Sequence, residues 1–90
     1  MSRVERTVTI INQRGLHARA SSKFVTLVSE LDTEVEVSRE GNAVAGSSIL
    51  DLMMLGAAMG DCITISAEGD GAQEAVEKLA ALVESKFGED

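Results

Sequence analysis

Apolar residues recur at every second position in three stretches of the chain, and this alternation predicts β-strands. The stretches are residues 4–11, 33–39 and 61–68, and each carries mainly β-branched residues on one face. A turn at residues 40–42, Glu-Gly-Asn, leads from the second stretch into a fourth, short strand around Val44. The pattern therefore predicts four strands.

Between these stretches the apolar period changes to that of an amphipathic helix. A first helical stripe consists of Ala20, Phe24, Leu27, Val28 and Leu31. A second long stripe consists of Ala72, Ala75, Val76, Leu79, Val83 and Phe87. A short third helix is predicted from Ser48 to about Leu55, because Ser48 and Asp51 have the spacing of a capping box.

The predicted order is β-α-β-β-α-β-α. This order predicts an α+β fold, a two-layer open-faced sandwich in which helices cover one face of a mainly antiparallel four-stranded sheet. Ninety residues are too few for two cores, so we expect residues 1–90 to form a single domain. The same interpretation expects a monomer.

Composition and charge exclude several classes of protein. The formal net charge is −7 and the sequence pI is about 4.6, and Trp and Tyr are both absent. An acidic chain whose only aromatic residues are Phe24 and Phe87 is a poor reader of nucleic acid. One cysteine, Cys62, excludes an internal disulfide and multi-cysteine zinc motifs, so no metal or cofactor is expected. With no signal core and no apolar run of about 18 residues, we expect a cytoplasmic protein without membrane insertion.

A gap in the acidic residues surrounds the start of the first predicted helix. Residues Thr7–Ser29 contain no Asp or Glu but hold Arg14, Arg19 and Lys23. A helix N-terminus favours negative charge, so bases without acids are unfavourable there unless an anion binds. The gap predicts an anion site, although charges also cluster by chance in short chains.

The only histidine, His17, lies inside this gap at the predicted helix start. A lone histidine is more often a cap or a partly buried structural residue than a functional one. Beside an anion site, however, a neutral imidazole is a competent nucleophile near neutral pH. A phosphoryl group carried on the ring would lie against helix N–H groups and Arg19.

The motif Gly15-Leu16-His17-Ala18-Arg19 resembles the phosphorylation site of the HPr family, the histidine phosphocarriers of the bacterial phosphotransferase system. The stretch from Ser48 to Gly56 is similar to the second motif of that family, a serine followed by a short apolar helix. The resemblance extends over nearly the whole chain, and the predicted element order matches the family fold.

The resemblance implies a stoichiometric carrier rather than an enzyme. By position, His17 would accept a phosphoryl group on Nδ1 from enzyme I and pass it to an enzyme IIA-type protein, with Arg19 steadying the phosphate. Ser48 aligns with the serine that an HPr kinase/phosphorylase modifies in some members. Its alternative role is that of a helix cap alone.

Two residues depart from the usual family pattern, and two segments resemble one branch of the family. Ala20 stands where the family commonly has proline, and Ser47 stands where many members have a base before the regulatory serine. The run Leu-Met-Met-Leu at 52–55 and the segment at 85–90 look closer to the nitrogen-related branch, called NPr. These two segments favour a regulatory role, with sugar uptake as the alternative.

A docking surface is expected beside the histidine. The short helix from Ser48 is apolar all round, so Leu50 and Met54 stay exposed if Ile49, Leu52 and Met53 face the sheet. The alternative is that the last long helix buries them. Together with Arg14 and Lys23, the exposed pair gives an apolar centre with a basic rim.

Three other classes of protein are alternatives to the carrier. A regulatory module of ferredoxin-like shape would bind an anion or partner without covalent chemistry. An acyl carrier is also small, acidic and serine-bearing, but it would be a helical bundle, which the alternating strands oppose. A true enzyme would need a second set of polar residues beside His17 to act in catalysis, and the sequence offers none.

Overall fold

A computed structural model describes residues 3–89 of the chain; residues 1, 2 and 90 of the predicted domain lie outside that range. Within it, four strands and three α-helices follow the predicted order and end in one turn of 3-10 helix. In chain order they are β1 (Arg3–Thr9), α1 (Ala18–Ser29), β2 (Val35–Arg39), β3 (Asn42–Ala45), α2 (Ile49–Met54), β4 (Cys62–Glu68), α3 (Ala72–Glu84) and the turn Lys86–Gly88.

The four strands form one antiparallel sheet in the spatial order β1-β4-β2-β3. The register places Ile63 and Ile65 of β4 opposite Val8 of β1 and Val37 of β2, respectively. These four apolar side chains are buried in the core, where α3 packs on β1 and β4. The predicted α+β sandwich with one covered face is confirmed.

The core between sheet and helices contains both aromatic residues. Phe24 of α1 and Leu79 of α3 are fully buried, and so is Phe87, which follows α3. Burial of three large apolar side chains stabilises the layer contact by about 1.5–3 kcal/mol each. The sheet therefore holds α1 in place, which matters because the histidine lies at its N-terminus.

Several predicted boundaries were wrong by two or three residues. The second strand begins at Val35 rather than Thr33, and the first helix ends at Ser29 rather than Leu31. The first strand ends at Thr9 rather than Ile11. The Ile10 N–H still donates to the carbonyl of its in-register partner Asp61, but the Ile10 carbonyl accepts from Gly60 instead, because the Asp61 N–H donates to the Ala58 carbonyl. The second long helix ends at Glu84, three residues before Phe87.

The break after Glu84 has a clear cause in packing. Phe87 has a positive φ of 54°, an uncommon conformation for an aromatic residue, and its ring is fully buried. The backbone turns out of the helix so that this ring can enter the core. The same turn directs the following residues, Gly88 and Glu89, toward the N-terminus of α1.

Candidate functional site

His17 is the N-cap residue of α1. Its backbone is extended, and its carbonyl accepts the first helical hydrogen bond from the Ser21 N–H at 2.9 Å. Its side chain makes no capping bond, and the first turn contains no acidic residue. The first-turn N–H groups of Ala18, Arg19 and Ala20 therefore remain available at the positive end of the helix dipole.

Gly15 brings the histidine loop against the segment that follows α2. Its φ is +64°, and an added Cβ would lie 2.5 Å from the Ala57 carbonyl oxygen, so no other residue fits without movement. The next residue, Leu16, donates its N–H to that same oxygen at 3.0 Å. The glycine thus joins the His17 loop to the neighbourhood of the apolar helix.

A carboxylate that the sequence analysis did not single out contacts the histidine. Nε2 of His17 lies 2.5 Å from Oε2 of Glu89, and their side chains are only 15% and 18% exposed. Among residues 3–89, the other ring nitrogen, Nδ1, forms no hydrogen bond. The contact joins residues 72 positions apart in sequence, so no local pattern indicates it.

Asn12 holds the other oxygen of this carboxylate. Its Nδ2 donates to Oε1 of Glu89 at 3.1 Å and to the Gly15 carbonyl at 2.9 Å. The residue is buried, and its Oδ1 has no hydrogen-bond partner in the described part of the chain. Both amide hydrogens are used, so the amide has a single orientation that satisfies its two acceptors.

The pKa of Glu89 is lowered from its ordinary value. The main cause is the hydrogen bond from His17; desolvation opposes it, and the bond from Asn12 and the positive charge of Arg14 add to the lowering. Glu89 is therefore ionised near neutral pH and presents a negative charge to the imidazole.

The three bases of the acid-free gap line a depression together with Glu89. A shallow depression of about 330 Å³ is lined by Gln13, Arg14, Arg19, Lys23, Gly88 and Glu89. Within residues 3–89, Arg3, Arg6 and Arg39 pair with carboxylates, whereas Arg14 and Arg19 form no salt bridge. Lys23 instead donates to the Phe87 carbonyl at 2.7 Å. The depression therefore brings two arginines without a salt bridge in the described range next to the carboxylate of Glu89.

Ser48 caps α2 as the sequence indicates. Its hydroxyl oxygen accepts from the Asp51 N–H at 3.2 Å, and the residue is half-buried. This geometry establishes the capping role and leaves the hydroxyl partly reachable from solvent.

The helix that Ser48 caps presents more apolar surface than expected. Leu50 and Met54 are 66% and 74% exposed, as the unburied pair should be. Ile49 and Met53, which were expected to face the sheet, are exposed as well, and Leu52 alone is fully buried. The helix has only six residues and packs on α1, and a single one of its side chains is buried in the core. We call Ile49, Leu50, Met53 and Met54 the apolar patch.

Residues 3–89 contain neither a cluster of metal ligands nor a membrane-spanning helix. No three side chains among His, Cys, Asp and Glu cluster closely enough to hold a metal ion. No helix in that range combines the length and the apolar character needed to cross a bilayer.

Comparison with known proteins decides the family. The profile described as "PTS HPr component phosphorylation site" matches residues 4–85. The chain belongs to the HPr family. It is 43% identical over 86 residues to phosphocarrier protein HPr of Cupriavidus necator, covering 96% of this chain and 97% of that one. It is 42% identical over 89 residues to phosphocarrier protein NPr of Shewanella violacea, covering 99% and 98%.

A solved structure supports the same assignment. The crystal structure of HPr-C-His from Thermoanaerobacter tengcongensis superposes with a TM-score of 0.91 at 40% identity, covering 97% of this chain and 98% of that one. This HPr/NPr protein is a phosphocarrier of the phosphotransferase system, and carriers of this family are not catalysts. The helical bundle of an acyl carrier is excluded by the sheet.

Proposed function

We propose that His17 accepts a phosphoryl group from enzyme I and passes it to an enzyme IIA-type protein. The supporting observation is the position of His17 at the N-terminus of α1, with no acid in the first turn and no hydrogen bond from residues 3–89 to Nδ1. A phosphoryl group on Nδ1 would meet the unpaired N–H groups of that turn.

The transfer is an in-line displacement at phosphorus. The Nδ1 lone pair of His17 forms the new N–P bond, and the P–N bond of the donor phosphohistidine breaks with its electrons on the donor nitrogen. The reverse displacement delivers the group to the acceptor. The carrier is regenerated after each passage, so its role is stoichiometric.

Arg19 is proposed to stabilise the phosphoryl group. It is exposed at the second position of α1, lines the same depression as Glu89 and has no salt bridge in the described range. A guanidinium donates to phosphate oxygens in a fork geometry. Ala20 adds one backbone N–H at a position where a proline would have none.

Partner docking is assigned to the apolar patch and its basic rim. Leu50 and Met54 supply exposed apolar surface, and the flexible side chain of Met54 can adapt to partners of different shape. Arg14 and Lys23 add positive charge around Glu89, the contact residue of His17, in a chain whose net charge is −7. Partners with acidic rims around an apolar centre would fit this surface.

Ser48 is proposed as a second phosphorylation site, modified by an HPr kinase/phosphorylase. A phosphate there adds about −1.5 to −2 charge directly beside the apolar patch. Acidic partners would then be repelled while His17 itself stays unchanged. Ser47, in place of a base, weakens the expected recognition by that kinase.

The cellular role is proposed to be regulatory, in nitrogen-related metabolism, with sugar uptake as the alternative. The run Leu-Met-Met-Leu and the segment at 85–90 support the nitrogen-related branch. Identities of 43% to an HPr and 42% to an NPr are too similar to separate the two. The proposed location is the cytoplasm.

One incubation tests the proposal. The chain is mixed with its cognate enzyme I and phosphoenolpyruvate, and its intact mass is measured. We expect the gain of one phosphoryl group, its loss in acid, and no gain in His17→Ala. An unchanged mass for the wild-type chain, with enzyme I itself phosphorylated, would reject the carrier function and favour a non-covalent binding module.

A further inference from the structure

A carboxylate occupies the ring nitrogen of His17 that the proposed reaction does not use. We infer that Glu89 is a positioning residue for phosphoryl transfer: it accepts the Nε2 proton, fixes the tautomer with a free lone pair on Nδ1, and compensates the charge that the ring gains. The inference rests on the proposed function, because it concerns how His17 reacts.

The hydrogen bond determines which nitrogen is nucleophilic. A neutral imidazole has one proton and one lone pair, and a carboxylate can only accept. With Oε2 of Glu89 at 2.5 Å from Nε2, the proton belongs on Nε2 and the lone pair on Nδ1. Both side chains are more than four-fifths buried, so water competes weakly for this bond.

The carboxylate is itself held at two points. Its other oxygen accepts from Asn12, whose amide is buried and is fixed by its second bond to the Gly15 carbonyl. Because Gly15 belongs to the His17 loop, Asn12 couples the position of Glu89 to the backbone that carries the histidine. Rotation of the carboxylate would break two hydrogen bonds.

The backbone leading to Glu89 is anchored as well. The ring of Phe87 is fully buried, and its carbonyl accepts from Lys23 of α1. The anchor lies two residues before Glu89 and ties that segment to the helix whose N-cap is His17. The carboxylate is therefore part of a packed arrangement.

Glu89 also compensates the charge that the ring gains on phosphorylation. When Nδ1 bonds to phosphorus and Nε2 keeps its proton, the ring becomes positively charged. Glu89 then forms an ion pair with the ring, as a carboxylate does when it stabilises an imidazolium. Arg14 and Arg19 supply positive charge on the rim of the same depression, where they balance the phosphoryl group. The proton stays on Nε2 throughout, and no further reactant is needed.

Two substitutions of Glu89 separate the effect of its charge from the effect of its hydrogen bond. Glu89→Gln keeps an oxygen acceptor but removes the charge, and Glu89→Ala removes both. Glu68→Gln is the matched control, because it removes a carboxylate that bonds to Arg3 at the opposite end of β1. Circular dichroism and urea unfolding check that each variant folds.

Two measurements report on His17 directly. Nitrogen-15 NMR at neutral pH gives the tautomer, which should be Nε2–H in the wild type and Glu68→Gln and a mixture in Glu89→Ala. The rate of phosphorylation by phosphoramidate measures the reactivity of the imidazole without any docking partner. In this reaction the P–N bond of phosphoramidate breaks and ammonia leaves. The Glu89→Ala variant loses the charge-assisted hydrogen bond to Nε2. We expect it to react about tenfold more slowly, which corresponds to about 1.4 kcal/mol. Glu89→Gln should be intermediate.

Two results would overturn the inference. Unchanged tautomer and rate in Glu89→Ala would make the contact incidental. A faster reaction in that variant would make Glu89 a blocking group. In either case the wild-type chain would still gain its phosphoryl group from enzyme I, so the proposed function would stand; its own failure would appear as an unmodified wild type.

Discussion

Lys23 donates a hydrogen bond of 2.7 Å to the backbone carbonyl of Phe87, and this bond ties α1 to the segment that carries Glu89. The ring of the same Phe87 is buried beneath it. One residue thus links the hydrophobic core to the hydrogen bonds around His17. Stability and site geometry are expected to change together when it is altered.

Phe87→Ala tests that link. Loss of a fully buried aromatic ring should lower the free energy of unfolding by about 3–5 kcal/mol. It should also weaken the His17–Glu89 contact, seen as a shift of the His17 ring signals in NMR. Met54→Ala is the control, because an exposed side chain should change stability by no more than about 0.5 kcal/mol. Equal stabilities of the two variants in urea unfolding would contradict the packing described here.

Gly15→Ala tests the join between the His17 loop and Ala57. The new Cβ would meet a carbonyl oxygen at 2.5 Å in a left-handed conformation, so we expect a loss above about 2 kcal/mol. Gly41→Ala is the matched control: φ is +86°, but nothing lies within 4 Å of its added Cβ. It should lose only about 1–2 kcal/mol. The account fails here if urea unfolding ranks the two in the opposite order.

The apolar patch should affect partners without affecting folding. Replacing Leu50 and Met54 together by Ser should leave the unfolding free energy within about 1 kcal/mol, because both are exposed. The KM of enzyme I for the carrier should rise about tenfold or more, as expected when a contact of about 1.4 kcal/mol is lost. Leu52→Ala, at a buried position, should instead destabilise the chain by about 2–5 kcal/mol. An unchanged KM would remove the patch from the docking surface.

Glu89 should make stability depend on acid pH. Its pKa is lower in the folded chain than in the unfolded one, mainly because of the bond from His17, so the unfolded state binds a proton first as pH falls. This contribution is complete above about pH 5 and is lost as the pH falls through the folded value.

The comparison uses Glu89→Gln, which cannot titrate at that position. The wild type should be the more stable of the two at pH 6, and the difference should shrink steadily on going to pH 3. Urea unfolding at a series of pH values checks this. A difference that stayed constant or grew toward acid would contradict the direction assigned to the pKa of Glu89.

Local signals were sufficient for much of the fold. The alternation around Ile63 and Ile65 predicted β4, and the Ser48–Asp51 spacing predicted the cap that the structure confirms. The acid-free gap placed His17 and the arginines at the start of α1. All of these depend on neighbours within a few positions.

Long-range contacts account for what the sequence did not reveal. The strand order β1-β4-β2-β3 depends on pairings that no short pattern specifies. The apolar stripe ending at Phe87 predicted a longer helix. The helix instead ends at Glu84, and a turn of the backbone places the Phe87 ring in the core. Glu89 comes from the far end of the chain to meet His17, and only the folded backbone brings the two together.

The central claim is that Nδ1 of His17 carries the phosphoryl group while Nε2 keeps its proton. Phosphorylating nitrogen-15-labelled chain with enzyme I and phosphoenolpyruvate, and recording phosphorus and long-range proton–nitrogen NMR spectra, tests this directly. The account predicts one phosphorus signal, coupled to Nδ1 of His17, with Nε2 protonated. A phosphoryl group on Nε2, or on any residue other than His17, would contradict it.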